Sequence, residues 1–456
     1  MKLVNTEGDF MSDLIKRYKK FIDNGKTERE CVNQTIVLAE EKGYKDIFSI
    51  KTPLKAGDKV YYNQMGKSIV LFHLGTEDLE KGMNILGAHV DSPRLDIKQN
   101  PLYEKNELVY LDTHYYGGIK KFQWVTLPLA LHGVVCKKDG TTVNIVIGED
   151  DDDPVFYISD ILPHLGQEQR KELAGDFIHG EDLDLLVGLA PFNKVENDSD
   201  EKKKDIGKKA VLKLLKGKYG IEEDDFLSAE LEVVPAGKSH DVGFDRSMIL
   251  GYGHDDRCCA FTSLDALLEG KTEGRTSVCI LIDKEEIGSV GATGMNSNFF
   301  ENAVSELLSA TGKFDGLVLR RCLRNSMMLS SDVSAALDPF FTNLFEEKNT
   351  AKLGHGVVFN KFTGSRGKSG SNDANPEFFA KIRNLLDKAG VNFQTAELGK
   401  VDQGGGGTIA MFSAKYNMNV IDSGVAVLAM HAPWELISSY DLQSAKDCYK
   451  AFLTLK

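Results

Sequence analysis

The sequence has no CxxC pair, no apolar run near the 18 residues a membrane helix needs, and no surplus of positive charge. Each absence excludes a class. The seven cysteines (Cys31, Cys136, Cys258, Cys259, Cys279, Cys322 and Cys448) are odd in number and irregular in spacing. They fit reduced thiols and form no disulfide framework. Without a long apolar run, no helical membrane span is expected. Lys and Arg number 55 against 68 Asp and Glu, a formal charge of −13, which argues against binding nucleic acid through overall charge. The start, Met1 to Glu7, lacks an apolar signal region, so a cytoplasmic location is expected. The sequons at Asn33 and Asn197 are then expected to carry no glycan. Internal repeats and low-complexity linkers are also missing.

What is present is an ordinary globular composition over 456 residues, enough for about two or three domains and a large core. Apolar residues from Phe10 to Phe21 recur at helical spacing, and Thr27 with Glu30 reads as a capping box opening a second helix. Met83 to Asp96 reads as a strand and a turn. Val134–Cys136 and Thr142–Ile147 flank a Gly-containing turn and predict a hairpin. The acidic and mixed runs Glu149–Asp153 and Asn197–Asp205 read as solvated loops, since neither has EF-hand spacing. Beyond residue 246, strand-like segments at Ser247–Tyr252, Thr276–Asp283, Ser326–Ser330 and Val420–Asp422 alternate with amphipathic stretches. That alternation implies a parallel or mixed sheet covered by helices. The expected organisation is one α/β domain, 1–97 with 246–456, interrupted by a β-rich insert, 98–245.

Five segments share one feature: an apolar stretch runs straight into acids or His. They end at His89-Val90-Asp91, at Gly253-His254-Asp255-Asp256-Arg257, at Asp283-Lys284-Glu285-Glu286, at Ser330-Ser331-Asp332, and at Met430-His431. Ligand sites in open α/β sheets lie beyond the carboxyl ends of strands. A single acid there is usually a cap or a turn residue; five such ends with two His are harder to dismiss. His and carboxylate without thiolate suit Zn, Mn or Co, and the supply is enough for two ions. Adjacent Glu285 and Glu286 offer one carboxylate for a metal and one for a general base. In a strand His89 and Asp91 point the same way, so Asp91 is expected to orient the His89 imidazole.

Together these segments, with Pro93 and Ile287-Gly288-Ser289, resemble the dinuclear zinc aminopeptidase family of aspartyl aminopeptidase and vacuolar aminopeptidase I. The matching order covers nearly the whole chain. The resemblance implies a three-layer α/β/α zinc-peptidase-like domain with an inserted β-rich dimerisation domain. It also implies a tetrahedral dodecamer that acts on peptides. Carried over, Asp255 bridges two Zn²⁺ ions, with Mn²⁺ or Co²⁺ as possible substitutes. His89 and Asp332 complete one ion, Glu286 and His431 the other. Glu285 is the general base and Asp91 the orienting residue. Spacing cannot assign the order within Asp255/Asp256 or Glu285/Glu286. His164, in Ile161-Leu162-Pro163-His164-Leu165, resembles a residue that reaches a neighbouring subunit's substrate; read alone it is a surface residue. Tyr115-Tyr116-Gly117-Gly118 with Trp124 looks like the vacuolar-type branch, which favours Leu and other neutral residues; an acidic preference stays open.

Other features have plainer readings. His254 matches no family ligand and is taken as structural or as a support to the ligands. Cys258-Cys259 reads as buried packing. Gly364-Ser365-Arg366-Gly367-Lys368-Ser369 mimics a phosphate loop but has Phe362 where glycine is required. Lys361, Arg366 and Lys368 in that stretch are candidate substrate contacts, against a plain surface loop. Gly404–Gly407 is a backbone device for a turn or a close approach. The alternatives kept open are an amidase, deacylase or carboxypeptidase on the same scaffold, and a noncatalytic scaffold protein.

Overall fold

The computed structural model describes residues 6–190 and 205–456, apart from the side chains of 6–12. The sequon at Asn197 and all of the run Asn197–Asp205 except Asp205 lie outside the described residues. Contacts divide the chain into two units. The first holds the described residues up to Ser92, then Ser239–Met430 and Trp434–Lys456; the second holds those of Pro93–Lys238 and His431–Pro433.

The first unit is built on a nine-stranded sheet. Its centre runs Ser68–His73, Thr276–Ile282, Met83–His89, Met327–Ser331, Asn419–Gly424 and Val357–Asn360. The four strands from Thr276–Ile282 to Asn419–Gly424 are mutually parallel, and the flanking strands are antiparallel to them. Met83–His89 and Thr276–Ile282 are buried at every residue, as expected where helices cover both faces of a parallel sheet. Side chains alternate between those faces. Leu86, Ala88 and Leu329 join an apolar cluster with Phe21, Phe261, Ile382 and Tyr449, from the helices Thr6–Asn24, His254–Glu269, Pro376–Ala389 and Ser439–Phe452. Ile85 and Met328 join the opposite cluster with Phe299, Leu307 and Leu319, from Phe299–Ala310 and Gly316–Asn325. The result is a three-layer α/β/α arrangement. Thr27 caps Glu28–Glu41 with the expected reciprocal bonds: its hydroxyl accepts the Glu30 N–H at 3.2 Å, and the Glu30 carboxylate accepts the Thr27 N–H at 3.0 Å.

Two expected strands lie outside the central sheet. Met248–Gly251 pairs antiparallel with Glu435–Ser438 in a separate five-stranded sheet of this unit, which also holds Ala426–Leu428. So of the five segments ending in acids or His, three terminate strands of the large sheet and two terminate strands of the small one. Their apolar character is the same; only the pairing partner separates them, distant in sequence for Met248–Gly251 but a few residues on for Ala426–Leu428.

The second unit carries a six-stranded antiparallel sheet in the order Thr142–Ile147, Leu129–Cys136, Ala229–Pro235, Arg94–Lys105, Leu108–Tyr116, Leu185–Leu189. The hairpin closes with Cys136 opposite Thr142 and Gly140 at φ 88°. The unit limits fall earlier than 98 and 245. Arg94 already pairs with Tyr116 in this sheet, while His240–Val242 already pairs with Met248–Gly251 in the first unit.

Candidate metal centre and catalytic carboxylates

His89 is the last residue of its strand, in register with Ile282, the last of the neighbouring strand. Glu285 and Glu286 follow Ile282 in a single 3₁₀ turn, and Asp332 follows Ser331 directly. Asp255 and Asp256 stand in the first turn of His254–Glu269 with non-helical backbone and a cis peptide bond between them. Strand ends and one helix start therefore bring acids from three other segments of the first unit to one imidazole.

The His89 ring is buried. Its Nε2 lies 3.1 Å from Asp255 Oδ1, 3.8 Å from Asp332 Oδ1 and 4.0 Å from Glu285 Oε2. Ligand atoms of His89, Asp255 and Glu286 lie within 4.8 Å of one another, and so do those of His89, Asp256 and Asp332. Asp256 Oδ2 accepts the His89 backbone N–H at 3.3 Å, while its buried Oδ1 has no hydrogen-bond partner among the described residues. Burial raises the Asp256 carboxyl well above its ordinary range. Burial also pushes Glu285 up to about 8; His89 opposes this, and the negative Asp332, Asp91 and Asp255 add to it. Burial disfavours a charged His89, but its bonds to Asp255, Asp332 and Asp91 outweigh that and raise its pKa. So many carboxylates crowded round one ring are costly without a compensating cation.

Asp91 does more than the sequence reading assigned to it. Its carboxylate accepts the backbone N–H of Glu285 on Oδ1 and of Glu286 on Oδ2, each at 3.1 Å. The nearest Asp91 atom to His89 Nδ1 is the main-chain carbonyl at 3.0 Å, with the carboxylate at 3.4 Å. Either contact on Nδ1 leaves Nε2 facing the acids.

The other candidates are spread more widely. His431 falls in the second unit, where its Nδ1 stands 3.1 Å from the Gly118 carbonyl; a Cβ on Gly118 would sit 3.2 Å from that nitrogen. His164 is exposed in the second unit. Lys361 and Lys368 both pair with Asp373, at 2.6 and 3.1 Å, Lys368 lies over the Phe362 ring, and Arg366 is exposed. The glycine run serves close approach: a Cβ on Gly405, at φ 139°, would meet the Gly364 carbonyl at 2.2 Å. His254 is buried between the Tyr18 hydroxyl and the Ile249 carbonyl. Cys258 and Cys259 are buried, their sulfurs 3.9 Å apart, and burial pushes the Cys258 thiol up to about 11.

Two supports of the Asp255 backbone escaped the sequence reading. Glu435 accepts its N–H at 3.0 Å, and the Ser92 hydroxyl donates to its carbonyl at 2.7 Å. Ser92 directly follows the His89-Val90-Asp91 segment. Glu435 had no signal, being 180 residues away on a strand of the small sheet.

Residues 21–453 match the family model of the aminopeptidase I zinc metalloproteases, M18. The chain belongs to this family. It is similar to a probable M18 family aminopeptidase 1 of Clostridium acetobutylicum, 59% identical over 440 residues, 96% of this chain and 93% of the relative. It is also similar to the crystal structure of an M18-family aminopeptidase from Thermotoga maritima, with 41% identity and a TM-score of 0.93 over 100% of this chain and 98% of the other. The Saccharomyces cerevisiae mApe1 dodecamer shares the fold at 21% identity, with a TM-score of 0.76 over 97% of each chain. The protein is a zinc aminopeptidase, a hydrolase.

The residues gathered round His89 fit zinc. One imidazole nitrogen and several carboxylate oxygens converge, a donor set that zinc accepts. The excess of buried negative charge and the orphaned Asp256 Oδ1 are what a divalent cation nearby would compensate.

Proposed function

We propose that the chain removes the N-terminal residue of peptides with Glu285 as general base and two Zn²⁺ per subunit. Asp255 would be shared by the ions, His89 and Asp332 would hold one, and Glu286 and His431 would hold the other; Mn²⁺ or Co²⁺ would be substitutes. The observation that carries this reading is the His89 Nε2, set among the carboxylates of Asp255, Asp332 and Glu285 within 4.0 Å.

Held there, zinc would supply a water of lowered pKa and polarisation of the scissile carbonyl. Glu285 takes the proton from the attacking water and returns it to the leaving amine. Asp91 fixes the turn that bears Glu285 through the two backbone N–H groups. The free amino end of the substrate meets the site's carboxylates.

Substrate contacts come from Lys361, Arg366 and Lys368, and from His164 of a neighbouring subunit in a homo-oligomer, a tetrahedral dodecamer built from dimers. The fold shared with the yeast dodecamer supports that assembly. The preferred N-terminal residue is neutral and Leu-like or acidic, and the expected setting is the cytoplasm.

The test is hydrolysis of Leu-, Asp-, Glu- and Lys-anilides by chelated protein given back Zn, Mn or Co. An N-acetylated substrate and Glu285→Gln serve as controls. Release from free-amine substrates alone, lost in Glu285→Gln with metal content intact, is the expected result. Full activity in Glu285→Gln overturns the base assignment.

A further inference from the structure

One buried carboxylate close to the site has no part in the chemistry above. Asp283 is the first of two residues between the strand Thr276–Ile282 and the turn carrying Glu285 and Glu286, and it is 1% exposed. Its Oδ2 accepts the Thr293 hydroxyl at 2.5 Å and the Lys284 ammonium at 2.9 Å. Its backbone N–H donates to Ser68 Oγ at 3.0 Å, and that hydroxyl donates to the Thr293 carbonyl at 2.7 Å. Ser68, Asp283 and Thr293 thus form a closed polar knot that joins the two ends of the loop 283–293 to the neighbouring strand Ser68–His73.

The loop between those ends is tightly folded. Lys284 sits in the left-handed region at φ 69°, and its carbonyl accepts the Ser289 N–H at 2.6 Å. Its side chain passes close over Gly291, where a Cβ would stand 2.9 Å from Lys284 Cδ. Asp91 grips the Glu285 and Glu286 N–H groups from one side. The knot holds the loop's two ends at the other. Asp283 is thus a buried side chain two residues before Glu285, bonded through Oδ2 to both Thr293 and Lys284.

We propose that Asp283 is a positioning residue for the general base, acting through Thr293 and Lys284 to set the place of the Glu285 carboxylate. This rests on the reading of Glu285 as base. It predicts a loss in kcat with little change in substrate binding, because misplacement of a reacting group by an ångström can cost about a hundredfold.

The decisive series uses the zinc-loaded full chain and compares Thr293→Val, Thr293→Ser and Asp283→Asn with the parent. The readouts are kcat and KM on the best anilide, bound zinc, and the melting temperature. Thr293→Val is expected to lower kcat about tenfold with KM within about twofold and zinc content unchanged. Thr293→Ser, which restores the hydroxyl, is expected to return kcat to within about twofold of the parent. Asp283→Asn is expected to lose at least as much as the valine variant. An unchanged kcat in Thr293→Val overturns the proposal. So does a loss that tracks zinc content or melting temperature alone, or one that serine fails to rescue. Glu285→Gln in the same assay keeps the two readings apart: if it retains activity, the base assignment fails whatever Thr293 does.

Discussion

The Asp91 carboxylate and the Glu285 backbone are joined by a hydrogen bond of 3.1 Å, and the second oxygen of the same carboxylate takes the N–H of Glu286 at 3.1 Å. One acid thereby sets the height of both carboxylates of the turn. Its own carbonyl and carboxylate both approach His89 Nδ1. The strand end at His89 and the turn after Ile282 are locked to each other through this residue, before any metal is considered.

Asp91→Asn replaces one acceptor oxygen by an NH₂ group, which would face a backbone N–H donor. An unsatisfied buried donor costs about 1–3 kcal/mol. If that cost falls on the position of Glu285, kcat drops about tenfold to a hundredfold, since each 1.4 kcal/mol is a factor of ten. Steady-state kinetics with zinc measured on the same sample checks this. A kcat per loaded site equal to the parent's would mean the grip does not act on the base.

The part of this site that sequence reveals is the part with a local signal. His89, Asp255, Glu285, Glu286 and Asp332 all stand where an apolar run meets acids, and that pattern is visible without a fold. The strands themselves are legible for a similar reason: Met83–His89 and Thr276–Ile282 are mostly apolar and buried throughout because both faces are covered. What sequence conceals is pairing. Met248–Gly251 reads like a strand of the large sheet but hydrogen-bonds to Glu435–Ser438, nearly 190 residues on. Glu435 supports Asp255 only because of that pairing. The Ser68–Asp283–Thr293 knot is hidden likewise: its residues are ordinary strand and loop residues until the register of Ser68–His73 against Thr276–Ile282 brings them together.

Removing the metal is expected to abolish hydrolysis and lower stability together. A ligand that binds only the folded state stabilises it by RT ln(1 + [L]/Kd), about 4 kcal/mol at a thousandfold excess over Kd. Here the loss is compounded by leaving Asp255, Asp256, Glu285 and Asp332 crowded round His89. Thermal unfolding in chelator against added zinc measures it, with activity followed on the same samples. A melting temperature that ignores both would show that no ion is held among these acids.

His254 makes a separate prediction about acid. Burial holds its imidazole neutral and brings its pKa down to about 3. The ring is engaged at both nitrogens, by the Tyr18 hydroxyl and the Ile249 carbonyl. The carbonyl can only accept, so Nε2 carries the hydrogen and Nδ1 accepts from Tyr18. A second proton on Nδ1 would force the Tyr18 hydroxyl to turn from donor to acceptor and would place a charge in a buried site. The unfolded chain binds that proton near pH 6.5, so between about 6.5 and 3 the unfolded state holds more protons than the folded one. The stability contribution is therefore complete above pH 6.5 and falls as pH drops, by up to about 1.4 kcal/mol per unit. In His254→Gln the amide can still donate to Ile249 and its oxygen can accept from Tyr18, but nothing titrates. That variant is expected to be less stable than the parent at pH 7, and the gap should narrow by about 2 kcal/mol on going to pH 5. Urea unfolding at pH 7, 6 and 5 measures the gap. A gap that stays constant would show that His254 is not buried neutral in the folded chain.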